Sequence, residues 1–210
     1  MKQHPSPLEP AIEARYRLAT YSKKGGQPAR HLAWTRELVE ADRNGGRERT
    51  DRTRYLGAIS SLVLLEPQEE AYRQVRLVEP LKKNLKVKKA RMQALLDAYG
   101  RVSDYGVAEV ATAAAYRTAE LYTDFSRALI NSQRPKGLSP AELEQYNVLL
   151  EEPAYPFEEK AIEVHEINAR RVSNGVYDQW VKNSFTALSK LRPVRYAKAE
   201  KGEGAIRALR

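Results

Sequence analysis

Apolar residues recur at intervals of three and four along nearly the whole chain, and no segment alternates convincingly with period two. Ile12, Tyr16 and Ala19 form a stripe closed by Gly25-Gly26, which predicts a first helix from about Pro10 to Lys24. Pro28 opens a second helix carrying Leu32, Trp34, Leu38 and Ala41, ending near Asn44-Gly45-Gly46. A third starts at Thr50 or Asp51, holds Tyr55, Leu56, Ile59, Leu62 and Val63 at helical spacing, and is expected to stop before Pro67. The fourth segment, Ala71 to Tyr99, contains Pro80, whose missing N–H and bulky ring predict a break or kink. Beyond it, Leu81, Leu85, Met92, Leu95, Leu96 and Tyr99 keep one face apolar.

Residues 107–131 contain no glycine or proline and are rich in alanine, so a long helix in close contact with its neighbours is expected there. A loop follows, with Ser139 as N-cap and Pro140 at the first helical position. Further helices are expected near 140–152, 157–173 and 177–191. The pattern predicts an all-α fold of about eight helices joined by short connections, and hence antiparallel helical hairpins. Residues 1–10, with three prolines, read as a loose arm, 11–192 as one helical repeat domain, and 193–210 as a basic tail.

Charge adds a second layer to this pattern. The formal net charge is +9, but it is unevenly placed. In "LKKNLKVKKAR", beginning at Leu81, six of eleven residues are basic, and helical spacing puts Lys82, Lys86 and Lys89 on one side with Lys83 close by. Arg43, Arg47, Arg49, Arg52 and Arg54 form a second cluster, interleaved with Glu48 and Asp51. Residues 139–166 carry eight glutamates against one lysine. A lysine face of this kind suits an acidic protein surface or a phosphate backbone, or simply covers apolar surface with its stems. Twelve tyrosines against three phenylalanines add amphipathic area, Tyr99, Tyr105, Tyr116 and Tyr122 among them. Lys82, Lys83, Lys86, Lys89, Tyr116 and Tyr122 are therefore the candidate partner-binding residues.

The chain has no cysteine, which excludes a disulfide framework and thiol chemistry. Apolar runs such as Leu62–Leu65 are far too short to span a bilayer, and the N-terminal stretch has no apolar core of signal-peptide length. If the protein is exported, the directing segment is expected outside this sequence; otherwise a cytoplasmic location follows. The most chemically suggestive stretch surrounds His165, with Glu159, Glu163 and Glu166. Helical dinuclear sites place a glutamate three residues before the histidine, where this chain has Ile162. Zinc-protease helices need two histidines four apart, and the only histidines are His4, His31 and His165. A solvated acidic helix face is expected instead. With no Walker loop, Rossmann fingerprint or nucleophile elbow, and with "DYG" at 104–106 lacking the other kinase motifs, the expectation is a protein that is not an enzyme and takes no cofactor or metal.

The segment "YPFEEKAIEVHEINARRVSNGVYDQWVKNSF" reads as a helical hairpin. Ile162, Ala169 and Val172 lie on its first helix, Asn174-Gly175 at the turn, and Val181, Phe185 and Leu188 on its second. Closed by Pro193, it resembles a tetratricopeptide repeat, whose period is about 34 residues. On that resemblance Phe185 takes the aromatic position and Ala169 the small-residue position, while His165 and Asn168 stand where the repeat has tryptophan and leucine, and Gly175 comes one residue early. Most of residues 70–198 is similar to the C-terminal part of large bacterial tetratricopeptide-repeat proteins, many of them envelope-associated. The resemblance implies a right-handed helical solenoid that binds other proteins without chemistry of its own, and a chain that is part of a longer one. The alternative expectation is a basic helical protein that binds nucleic acid.

Overall fold

The computed structural model describes residues 7–197, and among them there are helices and no strands. Eight α-helices follow in order: α1 (Leu8–Lys24), α2 (Pro28–Arg43), α3 (Asp51–Arg73), α4 (Leu81–Ser103), α5 (Ala108–Ile130), α6 (Pro140–Arg170), α7 (Gln179–Leu191) and the single turn α8 (Pro193–Tyr196). Their starts are set by local chemistry. Thr50 caps α3 through a reciprocal pair with Thr53, Ser139 and Glu142 form the same box at α6, and the Asp178 carboxylate accepts from the N–H groups of Trp180 and Val181 at α7. The left-handed Gly175, at φ 77°, closes the 3-10 turn after α6.

Two proline expectations are corrected. α3 passes through Pro67 to Arg73, and α6 is one 31-residue helix through Pro153 and Pro156, not two helices. An interior proline costs roughly 3 kcal/mol in a helix. All three prolines lie on exposed positions, where water reaches the carbonyls they leave without donors. The opposite sides bury Leu65 and Tyr72 in α3 and Ala154, Ala161 and Ile162 in α6. Each large apolar side chain contributes about 1.5–3 kcal/mol, so burial of Leu65 and Tyr72 offsets the proline in α3. The expected fourth segment divides before Pro80: residues 71–73 end α3, a non-helical link follows, and Pro80 is the N-cap of α4, immediately after the cis Glu79–Pro80 peptide. At the N-terminal side, α1 begins at Leu8, inside the expected arm; most of the expected basic tail lies outside the described residues, and its first turn is α8.

Each helix from α1 to α7 packs on the next one in the chain. The odd-numbered helices also meet one another, α1 with α3, α3 with α5 and α5 with α7, while the even-numbered ones make no comparable contact. The odd helices thus form one contiguous layer, termed inner, and the even helices pack on it from what is termed the outer side. Three apolar clusters fill the layers: Ile12, Leu38, Val39 and Leu56 at the first end; Tyr72, Met92, Leu95, Tyr99, Val110, Leu121 and Phe125 in the middle; Ile162, Ala169 and Leu188 at the last. The helices are 16 to 31 residues long from α1 to α6, so no fixed 34-residue spacing runs through the chain.

Candidate binding groove

The inner layer is not sealed. Between α3, α5 and α7 lies a cleft of about 450 Å³, walled by Tyr72, Tyr116 and Trp180 and rimmed by Glu69, Arg73, Arg117, Glu120, Asp124 and Arg127. A second hollow of about 280 Å³ shares Tyr116, Glu120, Thr123 and Arg127 and continues along α7 past Asn183, Thr186 and Lys190. Together they make a groove that follows α5.

Two of the groove's three carboxylates are paired with the protein's own cations; the third, Glu120, is partly exposed and among the described residues has only His165 Nε2 near it. Glu69, 8% exposed, accepts from the Tyr99 hydroxyl of α4 and from Arg117 Nη1 of α5 at 2.7 Å. Asp124 meets Lys88 Nζ at 3.0 Å, and Lys88, itself 2% exposed, sits 4.1 Å from the centroid of the Tyr72 ring. Burial, with Asp124 adding its charge, pushes the Tyr72 phenol far above its ordinary range, so the hydroxyl stays protonated and donates to the Leu121 carbonyl. The cations are committed less. Arg73 is 3.7 Å from Glu69 with a largely exposed side chain, and Arg127 and Lys190 form no ion pair among the described residues. Electrostatically, then, the groove turns guanidinium and ammonium groups outward.

Beneath its α7 wall is a buried polar network. His165 and Asn168 of α6 and Ser184 of α7 are each 0% exposed. Asn168 Nδ2 donates to Ser184 Oγ at 2.9 Å and to the Thr112 carbonyl at 3.2 Å; Ser184 Oγ is 3.3 Å from His165 Nδ1. His165 Nε2 faces Glu120 Oε1 at 3.5 Å, and the Thr112 hydroxyl donates to Asp178 Oδ2 at 2.5 Å. Ser184 Oγ and His165 Nδ1 pair with each other, while Nε2 is buried without a hydrogen-bond partner and Glu120 is the carboxylate it faces. A serine, a histidine and a glutamate in series have the composition of a nucleophile, base and orienting acid. Here both serine and histidine are enclosed, and no substrate carbonyl reaches the hydroxyl in this arrangement. The Tyr116 ring covers the network, tilted against His165 and Trp180 with both centroids 5.6 Å away. Burial raises the Tyr116 pKa, with Glu120 adding to the shift.

The candidate residues from the sequence separate. Tyr116 lines the groove, whereas Tyr122 faces α6, with Phe157 at 6.5 Å and Lys160 over its ring. Lys82, Lys83, Lys86 and Lys89 are exposed on α4 and line no cleft with Tyr116. Of the expected solvated acidic face around His165, Glu163 is exposed, Glu159 and Glu166 are half-buried in ion pairs, and the histidine is enclosed. Glu159 and Glu166 reach Arg192 at 3.4 and 3.7 Å, while His165 points into the core on the same side as Ile162 and Ala169. Glu159, Glu163 and His165 do not converge, and among the described residues no group of three or more His, Asp or Glu side chains could hold a metal ion. Sequence reasoning missed Glu69, Lys88 and Trp180. Glu69 falls on the Leu62/Leu65/Tyr72 stripe and Lys88 on the Leu81/Leu85/Met92/Leu95 stripe, so a charge in an apolar seam was the available signal.

No protein-family model, curated protein or solved structure matches the chain. Among the described residues no helix is long and apolar enough to cross a membrane.

Proposed function

We propose that this protein is a non-catalytic, protein-binding scaffold akin to the tetratricopeptide type, holding an extended acidic segment of a partner in the groove of its inner helix layer, within an envelope-associated assembly. One observation carries the reading: α3, α5 and α7 touch in succession, and the groove lies on that same layer. Stacked hairpins present an inner-layer surface of this kind to partner segments. The aromatic walls supply apolar area, and Arg73, Arg127 and Lys190 supply the charge complementary to carboxylates. The exposed lysines of α4 extend the basic surface beyond the groove.

The test is affinity capture from nuclease-treated lysate of the source organism, with wild type, Arg73→Glu/Arg127→Glu, and Lys82→Glu/Lys86→Glu/Lys89→Glu. A partner retained by wild type and lost from the groove variant is expected, with a smaller loss from the lysine variant. Unchanged capture by a folded groove variant would sink the proposal, and loss of all capture on nuclease treatment would move the function to nucleic acid.

A further inference from the structure

A second cleft, of about 560 Å³, opens where the α2–α3 link meets the end of α4, and it is lined by Arg43, Arg49, Arg54, Arg101, Asp104 and Tyr105. Its four arginines come from separate places: the last residue of α2, the link, the first turn of α3 and the last turn of α4. Like charges gathered at one opening repel each other, and packing explains only one of them. Arg49 forks onto Asp42, with Nε to Oδ1 at 3.0 Å and Nη2 to Oδ2 at 2.8 Å. Asp42 is wholly buried and lies against Gly57, where a Cβ would sit 2.5 Å from its Oδ2. The absence of a side chain at Gly57 thus lets the carboxylate approach α3 and hold the guanidinium in place. Asp42 leaves Arg49 Nη1 unused.

The other three have little to hold them. Arg54 is 3.8 Å from Asp51, whose side chain is fully exposed, and neither Arg43 nor Arg101 forms an ion pair among the described residues. Arg49 is thus a preorganised guanidinium with free donors, flanked by Arg43 and Arg101 without ion pairs and by Arg54 with one long contact to Asp51. Together they outweigh the single Asp104 carboxylate at the opening, and this is the arrangement that recognises phosphate oxygens. The Tyr105 ring, 5.6 Å from the Arg49 guanidinium carbon, gives the cleft a flat wall, and the volume is that of a small-molecule site. The α4 lysines are a separate feature: Lys89 and Arg101 are twelve residues apart, about 18 Å along the helix.

We propose that this cleft binds the di- or triphosphate group of a small soluble molecule, at a site independent of the inner-layer groove. The experiment is isothermal titration calorimetry of the whole chain with inorganic pyrophosphate at about 0.15 M salt, where diffuse surface attraction is screened beyond about 8 Å. Wild type is expected to bind one equivalent saturably. Arg43→Gln/Arg101→Gln, both at exposed positions that leave the Asp42–Arg49 fork intact, is expected to weaken binding at least tenfold. Arg54→Gln alone should weaken it in the same direction, and Lys82→Gln/Lys86→Gln should leave it unchanged. Absence of saturable binding to wild type, equal weakening by the arginine and lysine pairs, or binding seen only with a single-stranded oligonucleotide and not with pyrophosphate would each overturn the proposal.

Discussion

At the scale of single residues, the polar groups that matter most are those enclosed among apolar neighbours. Asn168 joins α5 to α7 through Thr112 and Ser184, so Asn168→Ala leaves buried partners without a donor. A loss of about 2 kcal/mol in urea unfolding is expected, against a few tenths for Ala at the exposed Lys182. Gly57→Ala should cost about 1–3 kcal/mol by pushing the Asp42 carboxylate off α3, measured the same way. Glu142 shows a pH dependence of known sign. Its hydrogen bonds from the Ser139 hydroxyl and backbone N–H hold its pKa below the ordinary glutamate value, so the capping box contributes above that value and is lost as pH falls through the depressed one. Amide exchange over residues 140–146 should therefore speed up, after correction for intrinsic rates, as the pH is lowered through the acid range. The Glu142→Gln variant should show a smaller change.

At the scale of helices, most of the fold was legible because the apolar stripes and caps agree. Ser139–Pro140, Thr50–Asp51 and the Gly25-Gly26 stop all lie within a residue or two of helix ends in the structure. What periodicity could not show was which side of a helix a proline occupies. Pro67, Pro153 and Pro156 are tolerated because they face water, and that depends on tertiary packing. Pro156→Ala is accordingly expected to raise the thermal midpoint, by about 1 kcal/mol of stability or somewhat more. A lowered midpoint would mean that the proline fixes a bend the packing requires. The groove was legible in part. Tyr116 stood out by composition, but Glu69 on α3, Lys88 on α4 and Trp180 on α7 come together only when four helices are assembled, because the sequence separates Glu69 from Trp180 by 111 positions.

At the scale of the whole molecule, charge and layering work together. Cross-helix pairs (Glu69 with Arg117, and Asp124 with Lys88) absorb two of the groove's three carboxylates, and Arg73, Arg127 and Lys190 outnumber the remaining Glu120 at the rim. The Glu-rich outer stretch of α6 has the opposite character, with Val148, Leu149 and Tyr155 exposed among glutamates. On the proposed function, an acidic partner is steered to the inner layer, and its association should slow as salt rises. The central claim is that a partner lies along α5 and α7. It is tested most directly by placing a photo-crosslinking residue at Thr186, inside the groove, and separately at Leu149, on the outside of α6. The account predicts that one acidic protein segment crosslinks from position 186 and not from 149, and that excess purified partner segment abolishes the band. Crosslinking of that partner from 149 and not from 186 would contradict it.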